Sequence, residues 1–336
     1  MRVINKPAID FILNRLSDLV PVNHYDFSSH RYFLPGFFRL ENICINFLSD
    51  KKTYTSVYFN EYITPESSHS TMVPTSLESV YLLLGCNMNQ CSDIGNYFVR
   101  VDPSFSSTSP WNEQFRLIFF DRWQATPQQR LERIKQVLSF SKCNYAYVNH
   151  LCNKLSKMIK NNYVSESSPI FLYGIYGKLS KPLDFGIKIY FATKYLTPFH
   201  NNVCEKIVTS WRNGESLINE FCKQSEIDPK YLIIINSEII KFCPENRMSF
   251  WGVNVSPEKE KDIKIYYLLP NTPQRNYFPL LQCILPHWNA YDLRKILSFF
   301  AEQHFCLRYI AVSVNSKNPV IKTYFFPTIQ SIVATC

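Results

Sequence analysis

The sequence predicts an α+β domain built on a ten-stranded antiparallel β-barrel, assembled from five strand–strand–helix units and ringed by helices. Three observations predict it. Strand-like runs come in pairs joined by turns of a few residues, and a helical stretch follows each pair, about five times along the chain. The second strands repeat a motif: Ile187-Lys188-Ile189-Tyr190-Phe191, Ile263-Lys264-Ile265-Tyr266-Tyr267 and Ile321-Lys322-Thr323-Tyr324-Phe325, with a looser Phe115-Arg116-Leu117-Ile118-Phe119. Side chains alternate faces along a strand, so the Lys and Tyr positions share one face and the Ile and Phe positions the other. With helices packed on the apolar face, a sheet of this size can remove its exposed edges by closing, and the face carrying Lys and Tyr becomes the lumen.

The elements follow in order. Residues 7–20 place apolar side chains at helical spacing behind Pro7, which predicts an opening helix. A polar, aromatic connection leads to Pro35-Gly36. Strands at 37–48 and 53–64 are joined by Ser49-Asp50-Lys51-Lys52, and 76–84 reads as helix. Strands near 95–102 and 113–121 precede Thr126-Pro127, an N-cap with Pro at the first helical position, which opens a helix to about 140. Another helix is expected at 143–161. Strands at 169–178 and 184–194 come next, then a helix at 202–224. The run Tyr231-Leu232-Ile233-Ile234-Ile235 fits a strand or a buried helical turn equally well. Strands at 248–256 and 262–269 enclose the charged turn 257–261. A helical region over 277–303 holds His287 and Trp288 beside Pro286, and strands at 307–315 and 319–327 complete the chain. The whole reads as one domain, 1–336, with 1–34 as an N-terminal helix and lead-in.

Composition narrows the function. Of 336 residues 46% are hydrophobic and 15% aromatic, ample for a large core. The net charge of +9 favours an anionic partner, and its even spread, with no run of five basic residues, argues against a nucleic-acid tail. No segment has the length and apolarity of a membrane span, and the N-terminus lacks a signal-peptide core, so a cytoplasmic protein is expected. The 11 cysteines are odd in number and scattered, which reads as reduced, buried thiols rather than disulfides or a zinc site.

Cations beside phenols inside a shielded barrel suit a diphosphate. Lysine and arginine neutralise it, tyrosine hydroxyls donate to its oxygens, and aromatic faces stabilise a developing carbocation. Together these describe ionisation of an allylic diphosphate. Competing chemistries lack their signatures: there is no GxxxxGK[ST], GxGxxG, GxSxG or HExxH, and 8 glycines leave little for a phosphate-cradling loop. The DDxxD run of magnesium-dependent isoprenoid enzymes is absent, so basic side chains must carry much of a prenyl diphosphate's charge. No tightly bound cofactor is expected; Mg2+ remains compatible, without an Asp-rich site. Trp251, beside the lumen strands, is a weak candidate for stacking on an acceptor ring.

The repeated strand–strand–helix order with (Arg/Lys)-x-Tyr on successive second strands resembles the αββα-barrel (ABBA) aromatic prenyltransferases. Within them it most resembles the bacterial branch with the cyanobactin peptide prenyltransferases and the alkaloid indole prenyltransferases. As architecture the resemblance covers residues 35–327; as motif it lies in the second strands and in Leu40-Glu41-Asn42-Ile43-Cys44. It implies Glu41 as the residue that takes the acceptor's proton. It implies Arg116, Lys188, Tyr190, Lys264, Tyr266, Lys322 and Tyr324 as the lining of the diphosphate and prenyl pocket. One departure stands out: the second strand of the first pair, Tyr54-Thr55-Ser56-Val57-Tyr58-Phe59, lacks the family's arginine. The expected reaction is transfer of a dimethylallyl or geranyl group to an indole or phenol, or to a peptide side chain, by a monomer or weak dimer that uses no nucleic acid. The competing class is a non-catalytic basic binding barrel.

Overall fold

The structure, a computed structural model, describes residues 6–20, 39–48, 51–60, 104–106, 109–120, 153, 170–178, 181–192, 230–242, 248–255, 260–269, 273–314 and 319–328. Helix α1 (Lys6–Ser17) turns Ile12, Leu13 and Leu16 inward, as its spacing predicts. Ten strands follow: β1 (Arg39–Leu48), β2 (Thr53–Asn60), β3 (Ser104–Ser106), β4 (Ser109–Phe120), β5 (Ile170–Lys178), β6 (Lys181–Ala192), β7 (Met248–Val255), β8 (Glu260–Leu268), β9 (Phe305–Val314) and β10 (Pro319–Pro327). They form one antiparallel sheet in the order β2-β1-β10-β9-β8-β7-β6-β5-β4-β3. Four of the five predicted pairs are hairpins, β1–β2, β5–β6, β7–β8 and β9–β10, and neighbouring hairpins zip together along their outer edges. The two ends of the order, β2 and β3, come within 8 Å of each other between Cα atoms.

One expected helical region divides in two, one ambiguous run is decided, and several expectations lie outside the described residues. The second hairpin has a very short first strand, β3, while the expected strand at 95–102 lies outside the described residues. The expected helices at 76–84, 126–140 and 202–224 also lie outside them, as does the one at 143–161 apart from residue 153. The ambiguous apolar run belongs to helix α2 (Lys230–Phe242). There Ile235 and Ile239, one turn apart, are buried while Ile233 and Ile234 are exposed. The region 277–303 is two helices, α3 (Phe278–Ile284) and α4 (Ala290–Glu302). Pro286 stands in the break between them, because proline has no N–H for the helical ladder. Trp288 in that break sets its ring edge-on against Phe47, 5.0 Å between centroids.

The apolar face of the sheet meets these helices. Register aligns Ile43 with Phe325, Ile45 with Thr323, Phe47 with Ile321, and Ile265 with Val312. Helix α4 buries Leu293, Ile296, Leu297 and Phe300, a helical stripe, and Phe300 stacks on Phe325 at 3.8 Å. Asn289 caps α4 by accepting the Tyr291 N–H at 2.8 Å. His304, at φ 57°, ends the helix in the left-handed region and sends the chain straight into β9.

Candidate active site

On β1, β2, β8, β9 and β10, where side chains are described, the second face of the sheet carries polar residues that are also buried. Along β1 the inward set is Asn42, Cys44 and Asn46, and across from it stand Ser56 on β2 and Lys322 on β10. Asn46 is 0% exposed, Ser56 and Ser313 4%, Tyr266 7% and Lys322 8%. A solvated face would leave a lysine open to water; a nearly buried one marks an interior wall.

Register brings the predicted cations onto that face. Lys188 pairs with Gly174, Lys264 with Gly252 and Lys322 with Ala311. Each lysine is thus in register with a residue that has little or no side chain. Arg116 pairs with Tyr176, two residues along β5 from the glycine opposite Lys188, and so belongs to the same set of positions. One step on, in the direction away from the tight turns, come Tyr190, Tyr266 and Tyr324, all on this same face by the period of two. The Tyr266 and Tyr324 rings lie 6.1 Å apart at 41°. Tyr267 takes the opposite face and is fully buried.

The first hairpin departs from this plan in a defined way. Ser56 pairs with Cys44, so a serine occupies the position held by lysine in the other repeats. The amide nitrogen of Asn46 donates to the Tyr54 carbonyl and the Ser56 hydroxyl, each at 3.1 Å. The carbonyl can only accept, which fixes the amide orientation and leaves Asn46 Oδ1 buried without a hydrogen bond. Such an acceptor costs roughly 1–3 kcal/mol. Lys322 holds its ammonium 5.8 Å from the centre of the Tyr54 ring.

Beyond the tyrosines the ladders break in a repeating way. Between β1 and β2 the pairing steps from Leu40–Phe59 to Asn42–Tyr58, leaving Glu41 as an extra residue. The same one-residue step leaves Phe171 between β5 and β6, Ser249 between β7 and β8, and Arg308 between β9 and β10. Each bulge lies beside the motif tyrosine or its β2 counterpart, Tyr58. Bulges add twist and redirect a side chain at a rim. From turn to rim, the register positions of this set therefore read cations, phenols, then the bulge residues. Glu41 is one of those rim residues. Trp251 is in register with Phe191 and Ile265, in the alternate set of positions along β7.

Residues that the motifs do not reveal complete this end. Tyr309, in register with Tyr324, packs its ring 5.7 Å from Phe326. Burial pushes the Tyr309 phenol above its ordinary range, and the neighbouring Arg308 charge, with a hydrogen bond from its guanidinium to the phenol oxygen, pulls it partly back. Burial likewise raises the Cys306 thiol. Among the described residues no cluster of three His, Cys, Asp or Glu side chains is placed to hold a metal ion, and no helix is long and apolar enough to cross a membrane.

No family model and no curated protein matches the chain. Solved structures do. The 6-dimethylallyltryptophan synthase from Micromonospora olivasterospora, solved with DMASPP and Trp, matches over 96% of this chain and 97% of its own at TM-score 0.52 and 10% identity. The fold is that of the ABBA prenyltransferases. A second 6-dimethylallyl tryptophan synthase matches over 95% of this chain and 94% of its own at TM-score 0.51 and 11% identity. The prenyltransferase PriB, in a ternary complex with L-tryptophan and dimethylallyl thiolodiphosphate, matches over 95% of both chains at TM-score 0.50 and 8% identity. Likeness to the ABBA fold at such low identity lies in the order and pairing of the elements, not in aligned side chains.

Proposed function

We propose that the sheet closes through β2 and β3 into a barrel, one domain over the whole chain, and that the protein is an aromatic prenyltransferase. It moves a dimethylallyl group, or a geranyl group, from its diphosphate to an indole or phenol. The observation that carries this reading is the buried wall on which lysines and tyrosines recur in one register. The ABBA fold, and neighbours whose structures contain dimethylallyl thiolodiphosphate with tryptophan, support it.

In this reading Arg116, Lys188, Lys264 and Lys322 hold the diphosphate as charge-assisted donors. The C–O bond to the allylic carbon breaks with its electron pair leaving on the diphosphate, and the cations stabilise that charge where it develops. Tyr190, Tyr266 and Tyr324 form the next layer, where their ring faces stabilise the allylic cation and exclude water. An aromatic carbon of the acceptor attacks, and Glu41 at the rim takes the proton that restores aromaticity. Because Ser56 replaces a cation, the anion is held from β4, β6, β8 and β10 rather than from β2.

Mass spectrometry of the protein incubated with dimethylallyl or geranyl diphosphate and a panel of indoles and phenols tests the reading. Prenylated product is expected, falling about 100-fold or more in Glu41→Gln, the usual scale for loss of a general base. Absence of product with every acceptor, alongside tight salt-dependent binding of nucleic acid, would instead place the chain among basic binding barrels.

A further inference from the structure

The first hairpin holds a polar group that its own packing leaves unsatisfied. Asn46 on β1 is completely buried, and its amide nitrogen donates to the Tyr54 carbonyl and the Ser56 hydroxyl at 3.1 Å each. Those bonds tie β1 to β2 and use only the nitrogen. The oxygen of a planar amide diverges from its nitrogen, so Oδ1 faces away from these partners. It is buried there without a donor. A ligand that brings a donor to Oδ1 recovers the hydration lost on burial.

The surroundings decide which donor fits. Lys322 on β10, itself 8% exposed, is in register with Asn46, and Ser56 stands on β2 at the position that lysine takes in other repeats. Ser56 accepts from Asn46 and donates to nothing among the described residues, so its hydroxyl hydrogen is left for a ligand. The site thus offers an ammonium, a hydroxyl donor and one oxygen that can only accept. A cation at Oδ1 would face the buried ammonium, and like charges repel strongly away from bulk water. A fully ionised phosphate would set its own lone pairs against Oδ1. A phosphate that keeps one proton satisfies all three groups: its P–OH donates to Oδ1, and its ionised oxygens accept from Ser56 and Lys322. Lys188 is likewise in register with Asn254 on β7, so a cation beside an amide recurs in the sheet.

We infer that Asn46 and Ser56 select the protonated form of the terminal phosphate, so that the protein binds a prenyl diphosphate with one P–OH kept rather than fully ionised. The inference rests on the prenyltransferase reading for its ligand, and its test reads binding without turnover. A terminal phosphate loses its last proton near pH 6, so at pH 7.5 the free ligand is mostly ionised. Selecting the protonated form then draws about one proton from solution, and affinity falls as the pH rises. Attraction to lysines alone has the opposite sign, since the more highly charged ligand would bind more tightly.

Calorimetry of the full-length protein with dimethylallyl thiolodiphosphate at pH 7.5, in two buffers of different ionisation enthalpy, counts the protons, and a series from pH 6 to pH 8 gives the trend. Uptake of about one proton is expected, with binding about tenfold or more weaker at pH 8 than at pH 6. The other titratable groups on this face are Lys322 and Tyr324 on β10, Tyr54 on β2 and Cys44 on β1 itself. Asn46→Leu keeps them all and should lose the uptake; Lys322→Gln should bind more weakly and keep it. The inference is overturned by no uptake in the unaltered protein, by affinity that climbs with pH, by uptake that survives in Asn46→Leu, or by uptake lost in Lys322→Gln. The unaltered protein and Lys322→Gln decide the matter even if Asn46→Leu does not fold. Inorganic phosphate offers a P–OH without a prenyl chain and should bind more weakly; tighter binding would make it the occupant and overturn the assignment. Proton uptake without any prenylated acceptor would leave this site standing and end the catalytic reading, whereas prenylation without uptake does the reverse.

Discussion

At the scale of single residues, register sorts the side chains proposed to handle charge from those that fill the apolar face. Lys264 stands opposite Gly252 and next to Ser313 on the neighbouring strand. Lys264→Ala is expected to weaken dimethylallyl thiolodiphosphate binding by roughly 10- to 100-fold, the range for losing a charged hydrogen-bond donor. Calorimetry checks it, and Tyr267→Phe, on the other face, serves as the control that should leave affinity unchanged. Cys306 offers a pH test. Burial holds its thiol above the ordinary range, so the thiolate is scarce at pH 8 and increases only as the pH rises past that range. Peptide mapping after iodoacetamide treatment should show Cys306 labelled slowly at pH 8 beside the exposed Cys283, with the gap closing on alkalinisation. The lysines and tyrosines are legible in the sequence because a period of two survives in any strand. Arg308 and Tyr309 are not, since nothing in a lone Arg-Tyr pair distinguishes a rim from an ordinary surface.

Individual elements are set by local chemistry that the sequence shows only in part. Asn289 as an N-cap and Pro286 as a helix break both follow from residue type, yet the apolar periodicity of 277–303 runs across the break and conceals it. Asn289→Ala should cost about 1 kcal/mol, read as a lowered denaturation midpoint in urea. His304 presents the reverse case. Its φ of 57° is a conformation that glycine adopts without a steric penalty, so His304→Gly should raise the same midpoint by about 0.5–1 kcal/mol. The bulges are the largest feature hidden from sequence reading. A single inserted residue has no compositional mark, so the layering of cations, phenols and rim emerges only once the pairing is known. Helix α2 was equally undecidable from its run of Ile, because a short apolar stretch with β-branched residues fits either period.

For the molecule as a whole, the basic balance and the buried Lys322 make a common prediction. A polyanion that enters the wall should stabilise the folded state, by about 2.7 kcal/mol at a concentration one hundred times its dissociation constant. Inorganic diphosphate is expected to raise the thermal midpoint, sodium sulfate at matched ionic strength much less, and Lys264→Ala should lose most of the difference. A rise that sulfate reproduces fully would reduce the effect to general charge screening. The overall architecture is legible because hairpins and intervening helices recur in order; strand neighbours beyond each hairpin are not, since nothing local says which edges meet.

One such meeting shapes how the protein is made. Strand β1 lies between β2 and β10, and the Thr323 hydroxyl reaches the Ile45 carbonyl at 3.4 Å across 278 positions of chain. During synthesis one edge of β1 must wait, unpartnered, until almost all the intervening chain has left the ribosome, so the final step of maturation is a long-range zipping event rather than a local one. Nascent chains stalled before β10 should therefore be protease-sensitive throughout β1, and release of the last hairpin should protect both strands together.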